Sequence, residues 1–295
     1  MKVEEASISF VVLHYNAFQE TIDCIYSILN NVKADHLNVV VVDNHSPNGS
    51  GETVKTEFEN ESRVHYIGLD KNAGFAVGNN AGIDYAKDTL KADFVCCINN
   101  DTIVEQIDFY EEIVRIYNET DAAVIAPKVY LKDKSYQRFF TKLETAAYYK
   151  KQLNTFRKRL IKIRIKNALS KFGIRLSKPE NTKKAKTAAS GNQDVSFFET
   201  AHKDVILHGC CLIFTPAFFK HLKGFSSETF LYREEEILFI DIVRKGLHNI
   251  YSPDIYILHL EDAATNTLFD DDYKKRIFVT KNLINSTKVL IKHIQ

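Results

Sequence analysis

The sequence predicts an α/β protein built on a Rossmann-like, largely parallel sheet flanked by helices. Three observations carry this. Short charge-free runs rich in Val, Ile and Phe recur through the first 130 residues, segments between them place apolar residues at helical spacing, and several runs end in Asp, Asn or His. Fully buried parallel strands read as continuous apolar runs, and open sheets of this kind bind ligands beyond the carboxyl ends of their strands.

The run SISFVVL, residues 7–13, predicts the first buried strand. Asn16 is expected to cap the following helix, whose apolar positions Phe18, Ile22, Ile25 and Leu29 fall on one face. LNVVVVD, residues 37–43, is the next strand; it ends in Asp43, and the loop NHSPNGSG stops regular structure. A strand near 64–67 follows. LDKNAGFAVGNNAGI, residues 69–83, leads into a further helix, and ADFVCCINNDT, residues 92–102, is a strand ending in Asn99, Asn100 and Asp101. Residues 105–118 read as a helix, and AAVIAPKVY from Ala122 as a strand. Order returns at VILHGCCLIF; residues 234–245 form a helix stopped by Gly246, a strand near 255–258 leads to His259, and 271–293 is a terminal helix. The expected organisation is an α/β part over 1–131, a basic insertion or mobile arm over 132–203, and a second part over 204–295.

Charge is nearly balanced, 39 Lys and Arg against 38 Asp and Glu, so the whole chain names no polyanionic partner. Its distribution is uneven. Residues 150–186 hold fourteen basic residues and one acid, Glu180, which leaves the rest of the chain acidic. The stretch KRLIKIRIKNALSKFGIRL interleaves these cations with Leu, Ile and Phe, as a helix seeking an anionic membrane surface does, although its apolar face drifts and 161–165 alternate like a strand. A solvated insertion is the alternative, and no module for nucleic acid surrounds the segment. The five cysteines sit in or beside apolar stretches without zinc spacing and read as buried thiols. Acids near the N-terminus and the lack of an eighteen-residue apolar run lead us to expect a cytoplasmic protein, free or peripheral at the inner face of the membrane.

Three clusters can carry chemistry. Asp43, the Asn99–Asp101 group and His259 end three strands, and an acid, an amide and an imidazole make a partial ligand set for a divalent cation that keeps open positions for phosphate oxygens. Each also has a structural alternative as a cap or turn residue. Gly74, Gly78 and Gly82 in the loop and helix after residue 69 permit close backbone approach to phosphate or sugar, or equally close helix–strand packing. Glu234, Glu235 and Glu236 open a helix between an aromatic run and an apolar face, where a carboxylate pointing inward can act as a general base; a solvated first turn favoured by the helix dipole is the alternative. Signatures of P-loop and dinucleotide-binding proteins and of serine hydrolases are absent.

Six blocks, FVVLHYNA, VVDNHSPNGS, NAGFAVGNNAGI, INNDT, HGCCLIF and GFSSETFLYREEEILFIDIVRKG, stand in the order seen in inverting glycosyltransferases of family 2, and the chain resembles their rhamnosyltransferase-like branch. The resemblance implies a GT-A fold with an acceptor-binding C-terminal half. It implies nucleotide-sugar contacts from Tyr15, Asn16, Asp43, Asn72, Gly74, Phe75, Asn79, Asn99 and Asn100. Asp101 and His259 would hold Mg²⁺ or Mn²⁺, Glu235 would be the catalytic base beside Glu234, and Gly209, Cys210 and Tyr232 would meet the acceptor. The implied partners are a nucleotide diphosphate sugar, rhamnose leading, and a saccharide or lipid-linked glycan. A sugar-nucleotide pyrophosphorylase normally begins with a Gly-rich basic loop that this chain lacks; a non-catalytic sugar-nucleotide or membrane-binding module is the other alternative.

Overall fold

The computed structural model describes residues 1–139, 141–171, 194–260 and 272–295. One half of its sheet is four parallel strands, β1 (Ile8–His14), β2 (Leu37–Asp43), β3 (Val64–Gly68) and β4 (Phe94–Asn99), in the spatial order β3-β2-β1-β4 with β3 at the edge. Helices α1 (Phe18–Asn31), α2 (Ser50–Glu57) and α3 (Gly74–Asp88) make the crossovers. Alternation along β1 sends Ile8, Phe10 and Val12 to one face, against Ile22, Ile25 and Ile28 of α1, and Val11 to the other, against Ala76, Ile83 and Ala86 of α3. Both faces are thereby covered, which is why these strands carry no charged residue before their tips.

After β5 (Thr102–Ile103), α4 (Phe109–Thr120) and β6 (Val124–Leu131), the sheet ceases to be purely parallel. Following β7 (His202–Lys203), β8 (Cys211–Phe214) inserts antiparallel between β4 and β6, and β9 (Asn249–His259) runs parallel to β6. The short β5 pairs antiparallel with the end of β9, placing Thr102 opposite His259. Within this frame lie α5 (Ala146–Lys171), the one-turn α6 (Pro216–Phe219), α7 (Glu234–Arg244) and α8 (Asp272–Ile294).

Two expectations need correction. Asn16 does not cap α1: it lies at φ 62°, and the helix begins after Ala17. The first part of the basic segment is not a mobile arm but the continuous helix α5, so 161–165 are helical as well. Tyr149 and Leu153 of α5 pack with Ile237 and Ile240 of α7 and Leu290 of α8, and Phe156 and Leu160 continue that stripe. Ile161 and Ile165 lie off it, exposed at 57% and 54%, which explains the drifting apolar face. The remainder of the basic segment falls outside the described residues. All five cysteines are buried free thiols, as expected. Among the described residues no helix is long and apolar enough to cross a membrane.

Candidate active site

The parallel register puts the tips of β1, β2 and β4 on one rim: His14 lies opposite Asp43, and Leu13 opposite Asn99. Asp43 is fixed there by three donors, since Oδ1 accepts from Ser46 N (3.0 Å) and Ser46 Oγ (2.6 Å), and Oδ2 from Tyr66 OH (3.2 Å). Ser46 Oγ also accepts from Asn16 N at 3.0 Å, so the 15–17 turn and the Asp43 loop share one hydroxyl. The buried Asn16 Oδ1 has no hydrogen-bond partner among the described residues. Tyr15 is half-buried beside it, its carbonyl accepting from Ala17 N. Gly51 is spatially required: a Cβ there would stand 2.1 Å from Asp43 Oδ2.

The loop before α3 forms the second wall. Asn72 Oδ1 accepts from Gly74 N at 3.0 Å, an Asx turn, and Asn44 Oδ1 accepts from Ala73 N at 2.8 Å. Gly74 adopts φ +84°, and a Cβ on it would stand 2.2 Å from the Phe230 carbonyl oxygen, which accepts from Phe75 N at 2.8 Å. The Phe75 ring meets Phe225 edge-on. Asn80 holds the same segment in both directions, donating to Phe225 O and accepting from Phe225 N, each at 2.8 Å. Gly78 and Gly82 pack on Leu13 and Val11 and serve the helix–sheet contact, while the buried Asn79 donates to Phe75 O within its own helix.

Asn99, Asn100 and Asp101 have three distinct settings. Asn99 is half-buried, and its N–H donates to Cys210 O at 2.8 Å. Asn100 is buried and donates to Thr21 Oγ1 at 2.9 Å, tying it to the network of Thr21 and His14 beneath the rim. Asp101 stands at the β5–β9 pairing with Oδ1 3.2 Å from His259 Nε2. The other imidazole nitrogen, His259 Nδ1, is buried without a hydrogen-bond partner among the described residues. Among the described residues no three His, Cys, Asp or Glu side chains cluster as a complete metal cage. Asp101 Oδ1 and His259 Nε2, 3.2 Å apart, are spaced as two neighbouring donors to one divalent cation would be, with phosphate oxygens and water left to complete the shell.

The three consecutive glutamates separate by environment. Two left-handed residues, Tyr232 (φ 76°) and Arg233 (φ 73°), turn the chain into α7. Glu236 pairs with the Arg233 guanidinium, and Glu234 is buried with Oε1 unpartnered among the described residues. Glu235 lies against the turn before β8: a Cβ on Gly209 would stand 2.5 Å from its Oε1. Burial raises the Glu235 carboxyl well above the ordinary range, and the charges of Glu236 and Glu234 raise it further. Burial raises Glu234 too. Cys210 is 1% exposed, so its thiol lies beneath the site surface. Burial, first of all, raises that thiol well above its ordinary range. Tyr232 is half-buried.

Sequence reading missed Arg233 and His208. The His208 ring lies 6.0 Å from the His259 ring, and its Nδ1 accepts from Cys210 N at 3.3 Å. The letters HG ahead of CCLIF were the available signal for His208; Arg233 had none, being one of many surface-type cations.

Known proteins share the family and the fold of this chain. Over 122 residues the chain is 29% identical to the low-salt glycan biosynthesis hexosyltransferase Agl10 of Haloferax volcanii, covering 41% of this chain and 36% of that protein. It is 26% identical over 144 residues to the glycosyltransferase GlyA of Streptococcus pneumoniae, covering 49% and 20%. The chain therefore matches well under half the length of either curated relative. The crystal structure of S. aureus TarS superposes with a TM-score of 0.52 at 15% identity, covering 86% of this chain and 36% of that one. The structure of TarS 1–349 gives 0.51 at 12%, covering 96% and 70%. These likenesses establish the GT-A fold. Residues 9–179 match the family described as glycosyl transferase family 2, and the chain belongs to that family.

Proposed function

We propose that this protein is an inverting glycosyltransferase that moves a sugar from a nucleotide diphosphate sugar to a hydroxyl of a saccharide or lipid-linked glycan. The observation that carries the reading is that the β4 tip leading to Asp101 and the turn carrying Glu235 meet at Gly209–Cys210, where Asn99 N donates to Cys210 O at 2.8 Å and Glu235 lies against Gly209. Residues 1–131 supply the donor half, with Tyr15, Asn16, Asp43 and the Asn72–Phe75 loop around the nucleotide and Asn99 nearby. Residues 204–295 supply the acceptor half, with Gly209 and Tyr232 lining it. A hexosyl donor is supported by the hexosyltransferase among the relatives; rhamnose is the first sugar to test.

In the reaction the Glu235 carboxylate takes the acceptor hydroxyl proton as that oxygen bonds to the anomeric carbon. The bond from that carbon to the diphosphate oxygen breaks on the opposite face, the nucleoside diphosphate departs with the electron pair, and configuration inverts. Asp101 and His259 would hold Mg²⁺ or Mn²⁺, which when bound neutralises charge on the leaving diphosphate. The test is a panel of UDP-, dTDP- and GDP-sugars with candidate glycan acceptors, with and without Mg²⁺ or Mn²⁺, scored by nucleoside diphosphate release. Acceptor-dependent release that is lost in Glu235→Gln supports the reading. Tight nucleotide-sugar binding without release on any acceptor favours a binding module instead.

The acceptor side has a second element. The exposed Ile161 and Ile165 on α5 stand among the exposed Arg157, Lys158, Lys162 and Arg164, a combination that suits an anionic lipid surface. Peripheral attachment there would bring the site to a lipid-linked acceptor. Co-sedimentation with phosphatidylglycerol vesicles but not phosphatidylcholine vesicles, reduced by Ile161→Glu with Ile165→Glu, is the expected result; equal binding to both lipids, or none, rejects it.

A further inference from the structure

We infer that Arg233 is a positioning residue for the base: its guanidinium ties α5 and the first turn of α7 together and so holds Glu235 over Gly209. The inference rests on the reading of Glu235 as base. Arg233 is 9% exposed, and a buried guanidinium is costly unless its donors are used. Two of them are committed in different directions. Nη1 pairs with Glu236 of the same helical turn, while Nη2 donates to Gln152 Oε1 of α5 at 2.5 Å. The plane also stands over the Tyr149 ring, 5.3 Å from its centroid. Such a planar fork fits two partners at once, which an ammonium cannot do.

The fork acts where the backbone needs it. Tyr232 and Arg233 both hold positive φ without being glycine, a conformation that costs about 1–3 kcal/mol per residue and persists only when its surroundings over-determine it. The contacts to Glu236, Gln152 and Tyr149 are what constrain Arg233. Glu235 lies between Arg233 and Glu236 in the chain, so the bond from Arg233 to Glu236 spans the turn that carries the base. Its other side abuts Gly209, which leaves little room for correction if the turn relaxes.

Charge provides an independent readout. The groups facing Glu235 are Glu234 and Glu236 on its own helix, Arg233 ahead of it, and Cys210 from the turn before β8; Arg233 is the cation among them and opposes the upward push of the glutamates. The experiment compares full-length Arg233→Met, Arg233→Lys and Gln152→Ala for nucleoside diphosphate release from the best donor of the UDP-, dTDP- and GDP-sugar panel. Donor KM, kcat and the pH profile are recorded, and folding is followed by thermal melting. A displaced base costs roughly 10- to 100-fold in rate. Arg233→Met should show that loss in kcat with donor KM within two-fold, and its acid limb should move to higher pH. Arg233→Lys should restore the pH profile and part of kcat, and Gln152→Ala should lower kcat alone. Unchanged kcat and acid limb in Arg233→Met overturn the inference. If that variant does not fold, wild-type kcat in both Arg233→Lys and Gln152→Ala overturns it. Retained turnover in Glu235→Gln would instead reject the base assignment on which it stands.

Discussion

Glu235 and Gly209 are in such close register that the α-carbon of Gly209 has no space for a side chain: an added Cβ would stand 2.5 Å from Glu235 Oε1, 3.1 Å from Cδ and 3.2 Å from Cγ. The glycine is the floor on which the proposed base rests. Gly209→Ala is therefore expected to push the carboxylate off its position without unfolding the sheet. We expect kcat to fall on the order of 10- to 100-fold while nucleotide affinity is kept, measured by turnover beside calorimetric titration with the donor's nucleoside diphosphate. Wild-type kcat in this variant would mean that the contact is irrelevant to transfer.

Removing the acidic groups should be more severe. Glu235→Gln leaves the volume almost unchanged but cannot accept the proton, and a loss of about 10²–10⁴-fold in kcat/KM is expected. Asp101→Asn should also cut turnover, and its residual rate should respond less to added Mg²⁺ or Mn²⁺ than the wild type's. Circular dichroism should show both variants folded.

Catalysis should have a raised acid limb. A base works only when deprotonated, and burial with the neighbouring charges of Glu236 and Glu234 raises Glu235 above the usual carboxylate range. The rate should then climb through a pH well above that of an exposed glutamate, and kcat/KM against pH measures it. An acid limb at the ordinary carboxylate value would argue that another group takes the proton.

The same burial has a stability consequence with a definite sign. Glu234 and Glu235 bind protons more tightly folded than unfolded. Below the unfolded carboxylate pKa both states are protonated and nothing is lost; as pH rises from there through the raised folded values, the chain becomes less stable. Glu235→Gln should therefore be more stable than wild type at neutral and alkaline pH, by on the order of 1–3 kcal/mol, with the difference vanishing in acid. Thermal melts of the protein without nucleotide or metal test this, and a difference independent of pH would contradict it.

Gly74 offers a prediction on the donor side. It combines φ +84° with a Cβ position 2.2 Å from the Phe230 carbonyl oxygen, so Gly74→Ala must open the contact between the loop and the 224–231 segment. A stability loss of about 1–3 kcal/mol is expected, with a rise in donor KM. Gly49, also at positive φ but with open space around its Cβ position, provides the comparison for conformational strain alone.

Much of this site was legible in the letters because parallel strands announce both their burial and their polar tips. Asp43, Asn99 and Asp101 could be placed on one rim from run endings alone. Glu235 could be preferred among three adjacent acids only by resemblance; the packing of Gly209 and the pairing of Glu236 give the physical reason. Long-range pairing is what the sequence hid. The two-residue β5, too short to show a pattern, brings Asp101 beside His259. Asn79 and Asn100, implied as nucleotide-sugar contacts, donate to Phe75 O and Thr21 Oγ1, partners invisible without coordinates. The α5 helix was blurred because Ile161 and Ile165 sit outside its Tyr149, Leu153, Phe156, Leu160 stripe.

The reversed direction of β8 decides which of its ends can influence reactivity. Because it opposes β4, pairing Ile98 with Cys211 and Val95 with Phe214, the residues entering it emerge on the reactive margin while those leaving it reach the far margin, where Thr215 bonds to Ala122 and Ala123. Insertions or swaps just upstream of Gly209 should therefore retune acceptor choice, whereas equivalent changes beyond Phe214 should be felt as altered folding and leave selectivity untouched.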